Sequence, residues 1–278
     1  MRNSILYIAL IALLTLLSCT KGERGKEFAR VQDGKIILNG KPYYFMGTNM
    51  WYAAILASEG EGGDTLRLFR ELDFLKELGL ENIRVLVGAE GERGVHSKIE
   101  PILQPSPGVY NDTLLKGLDR LMVELAKRDM TAVLYLGNSW EWSGGYSQYL
   151  MWSGDEKAPI PAIAGWIPFR DYVAKFVFCD SCKEMFAKHV RFIVSRENSI
   201  TGKPYTEDPA IFSWQVANEP RAFSKEGKEY FYQWVTSVAS LIKSIDSNHM
   251  VSTGSEGLYG CEVDMELFEK IHSYPDID

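Results

Sequence analysis

The sequence is short of the residues that several chemistries require. There are four histidines and four cysteines in 278 residues. One cysteine, Cys19, lies in an N-terminal leader, which leaves Cys179, Cys182 and Cys261. Cys179-Asp180-Ser181-Cys182 has the spacing of a redox or zinc pair, but no second pair follows. A structural zinc site needs four ligands, and only His189 or His249 could complete one. A structural disulfide, or thiols without a role, is therefore preferred, and neither metal nor cofactor is expected. Basic residues are also in deficit: the net charge is −7 and the pI near 5.3. That balance excludes nucleic acid and an anionic membrane surface as the principal partner. Repeats, low-complexity stretches and domain linkers are missing too, so the composition is that of one ordinary globular unit.

The longest apolar run, Ile5 to Leu17, is shorter than the roughly 20 residues a membrane span needs. Arg2 before it and Leu16-Leu17-Ser18-Cys19 after it resemble a bacterial lipoprotein signal, with Cys19 the acylated residue. The alternative is an ordinary cleaved secretory signal. The expected organisation is a signal over residues 1–19, a polar tether over 20–27 and one domain over 28–278. Such a protein is exported and touches the membrane only through its lipid anchor.

What the chain has in quantity is alternation of short apolar runs with helical patterns. Phe28 to Pro42 alternates around Asp33-Gly34 and Asn39-Gly40, both hairpin-turn dipeptides, and reads as a small hairpin closing the bottom of a barrel. Five strands follow, at residues 43–47, 82–87, 131–136, 211–217 and 250–254. Between them, Asp64 caps a helix ended by Gly79, and residues 111–128, 171–196 and 229–245 read as further helices, with a short one over 265–271. Sustained βα alternation with crossovers of this length implies a parallel sheet. The fold expected is an α/β, TIM-type barrel, incomplete at about five βα units. Residues 137–168, Gly-rich and aromatic, show no helical period and read as a long loop; Trp140, Trp142 and Tyr146 are candidate sugar platforms there.

The run Ile211 to Arg221 organises the rest. It starts as a buried strand and breaks at Pro220 after delivering an amide and a carboxylate to its C-terminal tip, where a barrel presents its chemistry. Asn218-Glu219-Pro220, together with Gly47 to Tyr52, Arg84 inside the second strand, Asn138-Ser139-Trp140 and Gly254 to Gly257, resembles glycoside hydrolase family five. The likeness is greatest to its bacterial β-mannanase branch. It covers nearly everything from Phe28 onward.

The resemblance implies retaining hydrolysis by two carboxyl groups about 5–5.5 Å apart, one protonating the leaving oxygen and the other attacking the sugar. It makes Glu219 the acid/base and has Asn218 bind the sugar 2-hydroxyl. It has Arg84 brace the carboxylates, Trp51 and Trp140 stack on or orient sugars, and Glu256 contact substrate. The partner it implies is β-mannan or a related polysaccharide. It also places the attacking Glu at a seventh strand and His and Tyr residues at a sixth. Neither strand falls within the five units found, and neither Glu256 nor His272 is assigned to the attacking role. The chain is therefore expected to be C-terminally truncated, weakly active or inactive alone, and marginally folded, with exposed sheet edges that favour self-association. Competing readings are a cellulase or other β-1,4-glucan hydrolase of the same family, and a surface lipoprotein that binds glycans without cleaving them.

Overall fold

The computed structural model describes residues 27–278. The signal, Cys19 and all but the last residue of the tether lie outside the described residues. A small antiparallel meander opens the fold: β1 (Arg30–Gln32), β2 (Lys35–Leu38) and β3 (Lys41–Pro42), turning at Asp33-Gly34 and Asn39-Gly40 as those dipeptides dictate. The expected hairpin thus gains a third strand. Its Ile36 and Leu38 pack with Phe212, Met250 and Val133 in a cluster separate from the main core. That contact places the meander against the N-terminal ends of the parallel strands, as a plug.

Five strands then form one parallel sheet in chain order: β4 (Met46–Asn49), β5 (Leu80–Leu86), β6 (Thr131–Tyr135), β7 (Ile211–Gln215) and β8 (Met250–Ser252). Each step is parallel and adjacent, the topology of consecutive βα units, so the sheet is part of a barrel wall. Among the described residues β4 and β8 are its outer strands. On the outer side of β8, Asp278 donates its backbone N–H to Val251 O at 2.9 Å.

The first strand begins three residues later than its aromatic run suggested. Tyr43 donates its N–H back to Ile36 O of β2 at 2.8 Å, and the Tyr43 and Phe45 rings pack on each other and on Phe212. The helices are α1 (Ala53–Ala57), α2 (Thr65–Glu77), α3 (Asp112–Lys127), α4 (Gly145–Trp152), α5 (Pro161–Ala164), α6 (Trp166–Val173), α7 (Asp180–Val194), α8 (Lys228–Ile245) and α9 (Met265–His272). Asp64 and Asn111 cap α2 and α3 through their side chains, satisfying N–H groups a helix start leaves open.

Two expectations are corrected. The stretch 137–168 is not one long loop, because α4, α5 and the start of α6 fold inside it. Helices of four to eight residues show no readable period, and these are held by packing: Tyr146 stacks on Phe176 at 4.0 Å and meets Trp234 edge-on. Nor is residues 171–196 one helix. The chain breaks between α6 and α7, where Cys179 and Cys182 form a disulfide. Thiolate chemistry at that pair is thereby replaced by a covalent staple across the turn.

Candidate active site

The C-terminal ends of β6, β7 and β8 are tied by backbone bonds that continue past the strands. Asn218 N–H donates to Gly137 O at 2.8 Å, Ser139 N–H to Asn218 O at 3.1 Å, and Glu219 N–H to Gly254 O at 3.0 Å. Glu219 therefore stands at the rim of the sheet, where a parallel barrel carries its functional groups. Its φ is +49°, a left-handed conformation that costs a side chain with a Cβ about 1–2 kcal/mol. Pro220 follows, so the strand ends in a forced turn that aims the carboxylate away from the ladder.

The loop leaving β6 supplies the carboxylate's partner. Trp140 Nε1–H donates to Glu219 Oε2 at 2.6 Å. Trp140 is held in place by rings on several sides: Phe169 lies nearly parallel at 6.2 Å, and Phe223 and Trp166 meet it edge-on at 5.7 and 5.5 Å. The Arg221 guanidinium sits over the indole at 4.9 Å, a cation–π contact. Asn138, fully buried, anchors the base of the loop. Its Oδ1 accepts from Trp140 N–H and from Asn218 Nδ2, both at 3.1 Å, while its Nδ2 donates to Ser143 Oγ at 2.9 Å. The Gly144-Gly145 turn closes the loop where only glycine fits: a Cβ on Gly145 would lie 2.1 Å from Asn138 O. Glu90, wholly buried beneath, accepts from Gly145 N–H at 3.0 Å.

Arg84 reaches this cluster from β5, but not as expected. Its hydrogen bonds go to amides rather than carboxylates: Nε to Gln215 Oε1 at 2.7 Å and Nη1 to Asn218 Oδ1 at 3.1 Å. The guanidinium lies over the Tyr135 ring at 4.1 Å. Burial lowers its pKa, opposed by the negative charge of Glu219 and by Tyr135. Gln215 passes the contact on to Ser252 Oγ at 3.1 Å, so the row spans β5, β7 and β8.

Of the remaining expected residues, Trp51 sits just past β4, half-buried, with its ring edge-on to Trp142 at 5.9 Å. Glu256 leaves β8 and is engaged by Arg221. Tyr146, expected as a platform, is 3% exposed and belongs to the core. His272 is likewise structural, with Nδ1 against Phe268 O and Nε2 against Thr253 Oγ1. Gln215 and Arg221 join the site without being expected there from the sequence. A signal for the first was present, since an amide near the end of an otherwise apolar strand needs a partner inside. Arg221 stood inside the Asn-Glu-Pro-Arg motif without a role of its own.

Comparison with known proteins agrees with this geometry. A family profile described as GH family 5 beta-mannosidase-like matches residues 26–278. A putative mannan endo-1,4-beta-mannosidase 9 of Oryza sativa subsp. japonica is 32% identical over 90% of this chain, which covers 61% of that protein. A mutant family 5 mannosidase of Rhizomucor miehei, solved with mannosyl-fructose, superposes with a TM-score of 0.82 at 31% identity, over 90% of this chain and 60% of that one. The endo-1,4-beta-mannanase of the same organism gives 0.72 at 26%, over 91% and 70%. The chain thus spans about three-fifths of the length of the rice protein and of the Rhizomucor mannosidase. The match of the family profile over nearly all of the described residues, together with the close superposition of the parallel sheet, shows that the chain belongs to the β-mannosidase-like group of glycoside hydrolase family 5.

Proposed function

We propose that this chain carries the acid/base half of a retaining glycoside hydrolase acting on β-1,4-linked mannan, glucomannan or galactomannan. The observation that carries the reading is the bond from Trp140 Nε1 to Glu219 Oε2 at the rim of the parallel sheet. An indole N–H fixes the carboxyl rotamer without removing its second oxygen, which stays available to hand a proton to the leaving glycosidic oxygen. Asn218, held between Arg84 and Asn138, binds the sugar 2-hydroxyl, and Trp51 and Trp140 orient the ring. The substrate class is supported by the relatives, which are named as mannan endo-1,4-beta-mannosidases.

Retention also requires a second carboxyl group about 5–5.5 Å from the first. Glu256 is the first acidic residue after β8, and it is spent on Arg221. We therefore assign it to substrate-side support and not to attack on the sugar. Export behind a lipidated Cys19 remains part of the proposal, supported by the Cys179–Cys182 disulfide, which suits an oxidising compartment.

The experiment is turnover and binding of mannopentaose, measured together on the protein and its Glu219→Gln variant. Turnover that falls by about 10²–10⁴ in the variant meets the acid/base role; turnover that is unchanged overturns it. Binding without turnover, lost in Trp140→Ala, favours the second reading, recognition without cleavage. The ion-paired state of Glu256 is the observation that keeps that reading open.

A further inference from the structure

Trp166 is the first residue of α6, and it is 56% exposed although its ring meets Trp140 edge-on at 5.5 Å. Gly165, with φ at +89°, turns the chain there, so the indole is set on the surface by the backbone. A large ring left in solvent against the part-buried Trp140 extends the apolar surface of the site, as binding surfaces do. The neighbouring polar groups are unusual in a second way. Arg170, one helical turn along α6, faces Glu262 on the loop beyond β8, with Nη2 and Oε1 3.9 Å apart. That is too long for a hydrogen bond. Arg170 Nε and Glu262 Oε1 are both buried atoms without a hydrogen-bond partner, a condition that folded proteins avoid. Glu262 and Val263 moreover hold consecutive left-handed conformations, φ +53° and +58°, in residues that carry a Cβ.

A flat apolar face beside a guanidinium that a loose ion pair leaves 43% exposed is a composition that recognises a pyranose. The ring face covers the sugar C–H face, and the exposed N–H groups of Arg170, with Glu262 behind them, donate to a hydroxyl. The location is continuous with the acid/base, since Trp166 touches Trp140 and Trp140 holds Glu219. We infer that Trp166, Arg170 and Glu262 form a carbohydrate subsite that takes one pyranosyl unit of the same β-linked chain whose scissile bond lies at Glu219. This inference rests on the proposed function. It adds residues from the helical insertion and from the β8 exit loop to the binding surface, and it gives the strained turn at Glu262 a use.

The test is calorimetric binding of mannopentaose to the Glu219→Gln protein, which holds the ligand uncleaved. It is repeated after adding Trp166→Ala, Arg170→Ala or, as a surface control, Phe74→Ala, an exposed residue of α2. Trp166→Ala is expected to weaken binding about tenfold and Arg170→Ala several-fold, with Phe74→Ala without effect and all melting temperatures within a degree or two of one another. Unchanged affinity in Trp166→Ala, with binding still lost in Trp140→Ala, overturns the subsite and leaves the proposed function standing. Failure of the Glu219→Gln protein to bind any β-mannan or β-glucan oligosaccharide overturns both. Self-association in sedimentation that Trp166→Ala abolishes would assign the patch to protein contact, because the exposed Ile163 and Ile167 flank it, and overturns the subsite as well.

Discussion

Arg221 and Glu256 join the exit loops of β7 and β8, Nη2 to Oε2 at 2.5 Å, with the two side chains only 16% and 20% exposed. The same guanidinium covers the Trp140 ring, so the pair lies one contact away from Glu219. Partial burial makes removal of one partner costlier than in a surface pair, since the other charge is left poorly solvated. Arg221→Ala and Glu256→Gln are each expected to destabilise the fold by about 1–3 kcal/mol. The double variant should lose less than the two losses added together. Urea denaturation of the four proteins checks this, and strict additivity would show that the pair is not coupled.

Glu90 predicts a pH dependence with a definite sign. Burial pushes its carboxyl from 4.5 up to about 7. The folded protein thus keeps this proton at pH values where the unfolded chain has lost it. Its contribution is complete below about pH 4.5 and is lost as pH rises through about 7, on the order of 3 kcal/mol at full loss. Glu90→Gln should therefore be the more stable protein at pH 8, with the advantage shrinking toward pH 5. His189 pulls the other way: burial lowers it to about 4 from 6.5, so its contribution is present above pH 6.5 and is lost as pH falls through about 4. Comparing Glu90→Gln with the unaltered protein cancels that term. A stability difference independent of pH would contradict the assignment.

Gly254 is expected to tolerate no side chain. Its φ is +81°, and a Cβ would lie 1.8 Å from Ala217 O. Its carbonyl accepts the Glu219 N–H, so a shift there moves the carboxylate directly. Gly254→Ala should cost about 3 kcal/mol or more and quench activity or glycan binding out of proportion to the fraction unfolded. Gly79→Ala, at φ +78° with open space around its Cβ position, is the control and should cost about 1 kcal/mol from backbone conformation alone. Equal effects from the two substitutions would mean that the close approach to Ala217 carries no weight.

The parts legible in the sequence were those where one local rule dominates. Asp64 and Asn111 announce helix starts, Asp33-Gly34 and Asn39-Gly40 announce turns, and the run ending in Asn218-Glu219-Pro220 announces a strand tip. The helices inside residues 137–168 were hidden because their stability is tertiary. Tyr146 and Tyr149 are pinned by Phe176 and Phe186, residues some 30 or more positions later in the chain. The disulfide across the first turn of α7 could be named as an option but not chosen, since pairing depends on approach in space. In the site, the amide and carboxylate of the β7 tip were readable, whereas the commitment of Arg84 to Gln215 and Asn218 was not. An arginine within a strand demands a partner without saying which neighbouring strand supplies it.

The row of amides above the sheet has a polarity. Arg84 donates to the Asn218 carbonyl, and Asn218 Nδ2 in turn donates to Asn138 Oδ1. Arginine has no acceptor to offer, so the amide orientation is imposed from one end and runs one way. Asn218 is left with one uncommitted hydrogen among the described residues. A group that meets this hydrogen must present a lone pair to it. Direction along a hydrogen-bonded row, set by a guanidinium two strands away, thus fixes which group the amide offers at the strand tip.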